Sequence, residues 1–346
     1  MRKLDAHETN LASLARSLRT AIVVPSLFAL AVLVIRQPEA AGFAVFGTFA
    51  HQVLVDYDTA GMARFAQSAM LTLFGAIMLA LGTLASTSVW LAVGGTVVVG
   101  FLSELPALSD GRIAAIRRAL LLTFMLAVAV PAPARSVLPY LAGWLTAGII
   151  AQPALFVIWA QMSDAAADGA STRERAANVA TCARPLNWRG KAVRSGLALG
   201  LAILLTRLFK LDHAFWVVLG VLPVLGASDG SVARTFWREQ AGTLIGFSIS
   251  LIMVAIIGPH QVGYWVLLPL VVFGSAYAAT AAGLVAGQAA FTLFAVVLFC
   301  ILLPQQHAGV LRLEDIAIGG AVSLIVGLLR RENDDASQGV RGVVKV

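Results

Sequence analysis

The sequence predicts an all-α protein: a polytopic membrane helix bundle with about 12 transmembrane helices in two parallel six-helix repeats. Composition is the first observation that predicts it. Hydrophobic residues make up 59% of the 346 residues and charged residues 12%, about half of the roughly 25% found in soluble domains. The other two observations are the long apolar runs, which can enter a bilayer, and features of the first half that recur in the second.

Twelve apolar runs account for the predicted spans, and they centre on 20–35, 41–55, 66–86, 88–105, 118–133, 137–160, 193–209, 213–227, 239–258, 262–281, 284–304 and 314–329. The runs at 41–55 and 213–227 are shorter than the ~20 residues that cross a ~30 Å hydrocarbon core. We expect these two to lean on neighbouring helices or to thin the bilayer locally, and their complete crossing is left open.

Lysine and arginine are divided unevenly between the two ends of these spans. With the N-terminus inside, 20 of the 25 lie in inner segments and 5 in outer loops, where Arg207 and Lys210 are expected to be interface anchors. This asymmetry follows the positive-inside rule, so we expect an inner-membrane protein with both termini in the cytoplasm. The net charge of +7 then reflects topology, and nucleic acid is not an expected partner.

The internal repeat rests on three pairs of residues at an offset of 173–175: Arg19 with Arg194, Trp90 with Trp265, and Pro131 with Pro304. Six spans per half is an even number, so both halves enter the membrane in the same orientation. The predicted divisions are a cytoplasmic N-terminal segment at 1–18, a first repeat at 19–160, a cytoplasmic linker at 161–192, a second repeat at 193–330 and a cytoplasmic tail at 331–346. Segment 1–18 is either a short helix on the inner surface or a solvated lead-in.

A stripe at four-residue intervals leads into and along the ninth predicted span: Arg234, Arg238, Gly242, Gly246 and Ser250. This spacing drifts about 40° per step on an α-helix, so it makes a gently winding stripe. The stripe predicts two arginines at the cytoplasmic mouth of a helix seam; the alternative is ordinary positive-inside residues that snorkel to the headgroups. Small residues let membrane helices approach closely, and the glycines expected to pack helices are Gly196, Gly200, Gly242, Gly246, Gly283 and Gly287.

The order of residues in this half resembles the fusaric acid resistance protein-like (FUSC) family of integral membrane transporters. The resemblance is carried by Arg194-Ser-Gly-Leu-Ala, His213-Ala-Phe-Trp216, Pro223, Asp229-Gly-Ser, Ala233-Arg234, Arg238 and Gly242-Thr243-Leu-Ile-Gly246. It covers roughly 190–330 and is weaker over 19–160. The superfamily includes bacterial aromatic acid exporters and is similar to plant aluminium-activated malate transporters. The resemblance implies export of small organic anions, with aromatic carboxylates as the expected class.

Candidate substrate-binding residues have cationic, amide or aromatic side chains: Arg234, Arg238, Arg64, Trp216, Gln240 and Gln288. Arginine presents a planar fork of donors that fits a carboxylate, and tryptophan can stack on an aromatic ring. Each type also has a structural reading. Tryptophans near span ends serve as interfacial anchors, and glutamines form hydrogen bonds between helices.

Energy coupling has weaker support, because the sequence places no Asp or Glu in the middle of a predicted span, where a proton carrier is expected. The candidates are Asp229, Glu239, Glu104 and His51, and for His51 the favoured reading is a structural histidine whose hydrogen bonds are satisfied.

The expected function is a secondary transporter that exports small organic acids, and coupling of this export to protons is left open. A passive organic-anion channel and a non-transporting envelope scaffold are the alternatives. No nucleotide-binding loop, paired metal ligands or cofactor motif indicates an enzyme. The expected partners are the lipid bilayer and a small organic anion, and association into a homo-oligomer is left open.

Overall fold

The computed structural model describes residues 2–55, 62–105, 111–162, 188–210, 217 and 232–302. Within these residues the regular structure is helical and contains no β-strand. The α-helices in the described ranges are α1 (Arg2–Ala29), α2 (Pro38–Phe49), α3 (Met62–Ser86), α4 (Val89–Leu102), α5 (Gly111–Ala129), α6 (Val137–Met162), α7 (Trp188–Leu208), α8 (Val232–Ile257), α9 (Gln261–Ala281) and α10 (Gly283–Leu302). π-Helical segments at Leu30–Val34 and Ala50–Leu54 extend α1 and α2, and a 3-10 turn at Ala134–Ser136 precedes α6.

Five helices of the described part are long and apolar enough to cross a membrane: Ser13–Val34, Arg64–Ser86, Arg234–Ile257, Gln261–Ala279 and Gly283–Leu302. In each of these helices at most 39% of an apolar 18-residue stretch is buried inside the molecule, so each keeps residues at the surface that lipid can contact. The prediction of an all-helical, multi-pass membrane protein is confirmed. The count of about twelve stays a prediction, since the spans at 213–227 and 314–329 lie outside the described residues apart from residue 217.

The short predicted span at 41–55 is α2 with its π-helical extension, and neighbouring helices enclose it. α2 begins at Pro38, where proline suits a first helical turn because its missing N–H has no partner to lose. Together the two segments have 12 + 5 residues, fewer than the ~20 of a full span. α6 and α1 pack against this helix, and Ala41 and Ala50 are completely buried. The enclosure agrees with a short helix that leans on its neighbours.

The N-terminal segment and the first predicted span form one continuous helix. α1 runs from Arg2 through Ala29 and continues to Val34, with no break near residue 18. Ser17 and Thr20 donate hydrogen bonds to carbonyls one turn back, at 2.7 Å and 2.8 Å, and both side chains are fully buried. The segment is therefore helical and continuous with the span, and its placement at the cytoplasmic surface stays a prediction.

Small residues set the distance between α4 and α7, which come from opposite halves of the chain. A Cβ atom added at Gly196 would lie 2.6 Å from the carbonyl oxygen of Val97, and one at Gly200 would overlap the Val97 side chain. Gly100 makes the reciprocal approach from α4, where an added Cβ would lie 3.0 Å from the Gly196 Cα. The same kind of long-range pairing brings α1 against α9.

Arg207, near the end of α7, joins three helices. Its Nη2 donates a hydrogen bond of 2.8 Å to the carbonyl of Val128 and one of 3.3 Å to that of Ser86, the last residue of α3. Carbonyls at a helix C-terminus lack intrahelical donors and carry partial negative charge, so a guanidinium stabilises them. The sequence predicted an interface anchor here; the structure has a half-buried bridge between helix ends.

Candidate functional site

The candidate site is the α8–α10 seam, formed by Glu239, Gly242, Thr243 and Gly246 of α8 against Val285–Thr292 of α10. A Cβ atom added at Gly242 would lie 2.5 Å from the carbonyl oxygen of Val285, and one at Gly246 would overlap the carbonyl oxygen of Ala289. The contacts advance four residues on both helices, so α8 and α10 run in the same direction. Glycine permits backbone contact of this kind because it carries no side chain.

A polar pair crosses the seam one turn from Gly246. The Gln288 amide donates a hydrogen bond of 3.4 Å to the hydroxyl of Thr243, which is completely buried. Thr292 donates in turn to the carbonyl of Gln288 at 2.8 Å. Gln288 therefore makes the interhelical hydrogen bond that was the structural reading of this residue, and its contact with a substrate stays a prediction.

Glu239 lies on the packed face of α8. Its side chain has no exposed surface, and both carboxyl oxygens lack a hydrogen-bond partner among the described residues. Seven residues are close to two turns of helix, so Glu239 is only about 20° from Gly246 around the helix axis. Glu239 is the sixth residue of the apolar helix Arg234–Ile257, close to the end of the span where the sequence placed it.

Arg234 and Arg238 are exposed, which differs from the expectation that they face the seam. The four-residue spacing explains the difference, because the drift accumulates with each step. Counted back from Gly246, Arg238 has turned about 80° and Arg234 about 120° away from the packed face. Glu239 takes the place in the seam that the stripe gave to the arginines.

The remaining substrate candidates lie in different surroundings. Gln240 and Arg64 are half-buried, near the start of α8 and the start of α3 respectively. Trp216 and the coupling candidate Asp229 lie outside the described residues. Of these candidates, Gln288 contacts the packed face of α8 through Thr243. Arg64 lies on a different helix, α3.

His51 belongs to a buried polar cluster in the first half of the chain. Its Nδ1 lies 2.8 Å from the carbonyl oxygen of Gly47, and its Nε2 lies 3.0 Å from the hydroxyl of Thr72. Both ring nitrogens are thus engaged within the protein, which supports the structural reading. Beside it, Arg19 donates to the side-chain oxygen of Gln52, a pair that the sequence analysis did not foresee. The sequence feature that could have indicated this pair is the adjacent polar residues His51 and Gln52, which interrupt an apolar run.

Glu104 forms an ion pair, with its Oε2 3.0 Å from the Lys191 Nζ. The pair joins the residues just after α4 to the first turn of α7, next to the close contact that Gly196 makes. Lys191 is 44% exposed, so water screens the pair and its contribution to stability is small. This partner gives Glu104 a structural role in the contact between α4 and α7, and its part in proton coupling stays a prediction.

The packing glycines divide into two groups. Gly196, Gly200, Gly242 and Gly246 lie against backbone or side chains that an added Cβ would approach too closely. Gly283 is different: it has nothing nearby but a φ of +80°, which allows the chain to turn from α9 into α10. Gly287 makes only ordinary contacts with α9, where the nearest atom to an added Cβ is 3.5 Å away.

Residues 201–326 match the protein-family model described as fusaric acid resistance protein-like. This stretch begins within α7 and includes the whole of α8, α9 and α10, so the α8–α10 seam lies in the matched region. The resemblance predicted from the order of residues is confirmed over this stretch. Neither the curated proteins nor the solved structures include a match to the chain.

Inside and outside the fusaric acid resistance protein-like region, the described residues hold no group of three or more His, Cys, Asp or Glu side chains placed to bind a metal ion. What the seam offers chemically is an unpartnered carboxyl group, a hydroxyl–amide pair and a tight helix contact. Such a set can bind a proton or accept hydrogen bonds.

Proposed function

We propose that this protein is a secondary transporter that exports small organic acids, aromatic carboxylates among them, across the inner membrane. The observation that carries the proposal is the match of residues 201–326 to the fusaric acid resistance protein-like family. The apolar helices of the described residues supply the membrane-spanning frame that a transporter needs.

We further propose two parallel repeats, and backbone geometry supports them. Among the described residues, only two non-glycine residues have a positive φ: Arg36 at 58° and Lys210 at 51°. Their separation is 210 − 36 = 174, which lies within the offset found in the sequence. Each follows the first helix of its half. A left-handed residue is uncommon outside glycine, so its recurrence at this offset favours a repeated unit.

Helix packing gives the repeat independent support. The first helix of each half packs against the fourth helix of the other, since α1 contacts α9 and α4 contacts α7. This reciprocal exchange is what two-fold symmetry between halves would produce. The starts of α4 and α9 differ by 261 − 89 = 172 residues, and those of α5 and α10 by 283 − 111 = 172. In transporters built from such repeats, substrates bind between the halves.

The exposed arginines fit an electrostatic role in this proposal. The offset of 174 relates the half-buried Arg64 to the exposed Arg238, so each half carries an arginine near the start of its third helix. With those ends in the cytoplasm, the cations raise the local concentration of organic anions at the inner mouth. This role needs side chains at the molecular surface, and Arg234 and Arg238 are exposed there.

Flux measurement in proteoliposomes tests the proposal and separates it from its alternatives. Purified protein is reconstituted, and the movement of labelled benzoate is followed with and without a pH gradient. Accumulation driven by the pH gradient is expected for a proton-coupled transporter. Flux that only follows the electrochemical gradient of the anion would identify a channel. Absence of flux for every organic anion tried would contradict transport and favour a scaffold.

Replacing the arginines with lysine distinguishes substrate contact from topology. If Arg234 binds a carboxylate directly, Arg234→Gln should weaken apparent affinity roughly ten- to hundredfold, since a charge-assisted hydrogen bond contributes about 1.5–3 kcal/mol. Arg234→Lys and Arg238→Lys should then restore transport only in part, because lysine keeps the charge and loses the fork.

The arginine variants are measured at matched expression beside Arg135→Gln, which removes an exposed arginine from the 3-10 turn before α6. The control is expected to transport like the parent. Full activity of both lysine variants would rule out direct recognition by the forks, and steering by charge would remain.

A further inference from the structure

The carboxyl of Glu239 is buried in surroundings that, within the described structure, contain nothing that balances a charge. The α10 helix packed against it has no charged side chain. The charged residues of α8 nearby, Arg234 and Arg238, are exposed and lie away from the packed face. The titratable side chains on the packed elements are Cys300 of α10 and, on α9 beyond it, Tyr264 and Tyr277.

None of the contacts described for these groups reaches Glu239. Cys300 is two residues from the end of α10, at the opposite end of the seam from Glu239. Tyr264 donates its hydroxyl to the carbonyl of Gly258 at 2.9 Å, beyond the far end of α8. The carboxyl is completely buried, and its residue precedes Gly242, which makes the close contact with Val285, by about one turn of α8.

An enclosed carboxyl with no partner discriminates strongly between its two protonation states. An isolated carboxylate away from water costs several kcal/mol, whereas the protonated acid has no net charge to desolvate. Ionisable residues within membrane helices commonly mark proton relays for this reason. Glu239 is seven residues from the start of α8 at Val232, a rise of about 10 Å. A modest opening of the seam would therefore connect it to water at that end.

We propose that Glu239 is the proton-binding group that couples transport to the pH gradient, an inference that rests on the proposed export function. The carboxyl holds a proton while α8 and α10 are packed together. When the seam opens towards the inner side, the O–H bond breaks and the proton passes to water there, and the carboxylate that remains takes a new proton from water on the outer side before the seam closes again. No oxidant or other co-reactant is required. The proton therefore links closure of the seam to the direction of anion movement.

The decisive variant is Glu239→Gln, which keeps the shape of the protonated acid and cannot release a proton. In proteoliposomes with labelled benzoate, it is expected to keep exchange of benzoate at equal pH and to lose accumulation driven by a pH gradient. Glu39→Gln is the matched control, because Glu39 is an exposed carboxyl in the first turn of α2. Unchanged accumulation by Glu239→Gln would overturn the proposal.

A second measurement keeps the proposal testable apart from transport and apart from the folding of one variant. Infrared difference spectra after a pH change, with no substrate present, report the carbonyl stretch of protonated carboxyl groups. The parent and Glu239→Asp should show a signal that Glu239→Gln lacks, and equal signals in all three would overturn the assignment. A Glu239 signal in a protein that moves no organic anion would refute the proposed function and leave the proton site standing.

Discussion

Trp144→Ala is expected to lower the free energy of unfolding by about 3–5 kcal/mol, the usual cost of removing a large buried aromatic side chain. The indole of Trp144 is completely buried. It fills the space that glycines leave open, since a Cβ atom added at Gly75 would overlap it and one at Gly47 would lie 3.2 Å from its Cε3. Its Nε1 also donates a hydrogen bond of 2.9 Å to the carbonyl of Thr72.

The matched control is Trp90→Ala, because Trp90 is 79% exposed at the start of α4 and leaves no internal cavity when removed. Unfolding of both variants is followed by titration with a denaturing detergent in mixed micelles. The Trp144 variant should unfold at a much lower detergent fraction than the control. Equal unfolding of the two would show that α3 and α6 are not joined through this indole.

A further consequence of the tryptophan change concerns His51, whose ring centroid is 5.6 Å from that of Trp144. The histidine is held by Gly47 and Thr72 at its two nitrogens. Removing the indole takes away an aromatic ring that packs beside His51 and the N–H that donates to the carbonyl of Thr72. The polar cluster of the first half should therefore loosen together with the contact between α3 and α6.

The sequence predicted the helical elements well, because each apolar run is a property of neighbouring residues. The runs at 66–86, 262–281 and 284–304 correspond to α3, α9 and α10 within a few residues. Hydrogen bonds across the bundle could not be predicted in this way. Arg207 donates to the carbonyl of Val128, which is 79 positions away in the sequence. One sequence alone does not indicate which distant carbonyl a cationic side chain will contact.

The sequence predicted correctly which glycines of α8 face the neighbouring helix. It was wrong about the arginines of the same stripe, and the reason is geometric. A four-residue repeat drifts about 40° per step, so it identifies a face reliably over two or three residues only. Gly242 and Gly246 are within that reach, whereas Arg234 is three steps from Gly246. A seven-residue repeat drifts only about 20°. Applied to Gly246, it selects Glu239, whose side chain is completely buried.

Gly246→Ala is expected to separate α8 from α10. An added Cβ at Gly246 would overlap the carbonyl oxygen of Ala289 and lie 2.8 Å from the Thr292 Cβ. Backbone atoms cannot rotate away as a flexible side chain does, so the two helices must move apart. Overpacking of this kind costs about 1–3 kcal/mol, while alanine gains roughly 1 kcal/mol over glycine in intrinsic helix propensity.

Gly274→Ala isolates the effect of packing in this experiment, since nothing lies within 4 Å of a Cβ added at Gly274 in α9. That control gains the propensity of alanine without a clash and should be as stable as the parent or slightly more so. Gly246→Ala should unfold at a lower fraction of denaturing detergent than Gly274→Ala. Because Glu239 lies on the same face two turns away, the wider seam should also admit water to its carboxyl and increase proton leak across proteoliposomes. If the two alanine variants prove equally stable and equally tight to protons, α8 and α10 do not meet at Gly246 in the membrane.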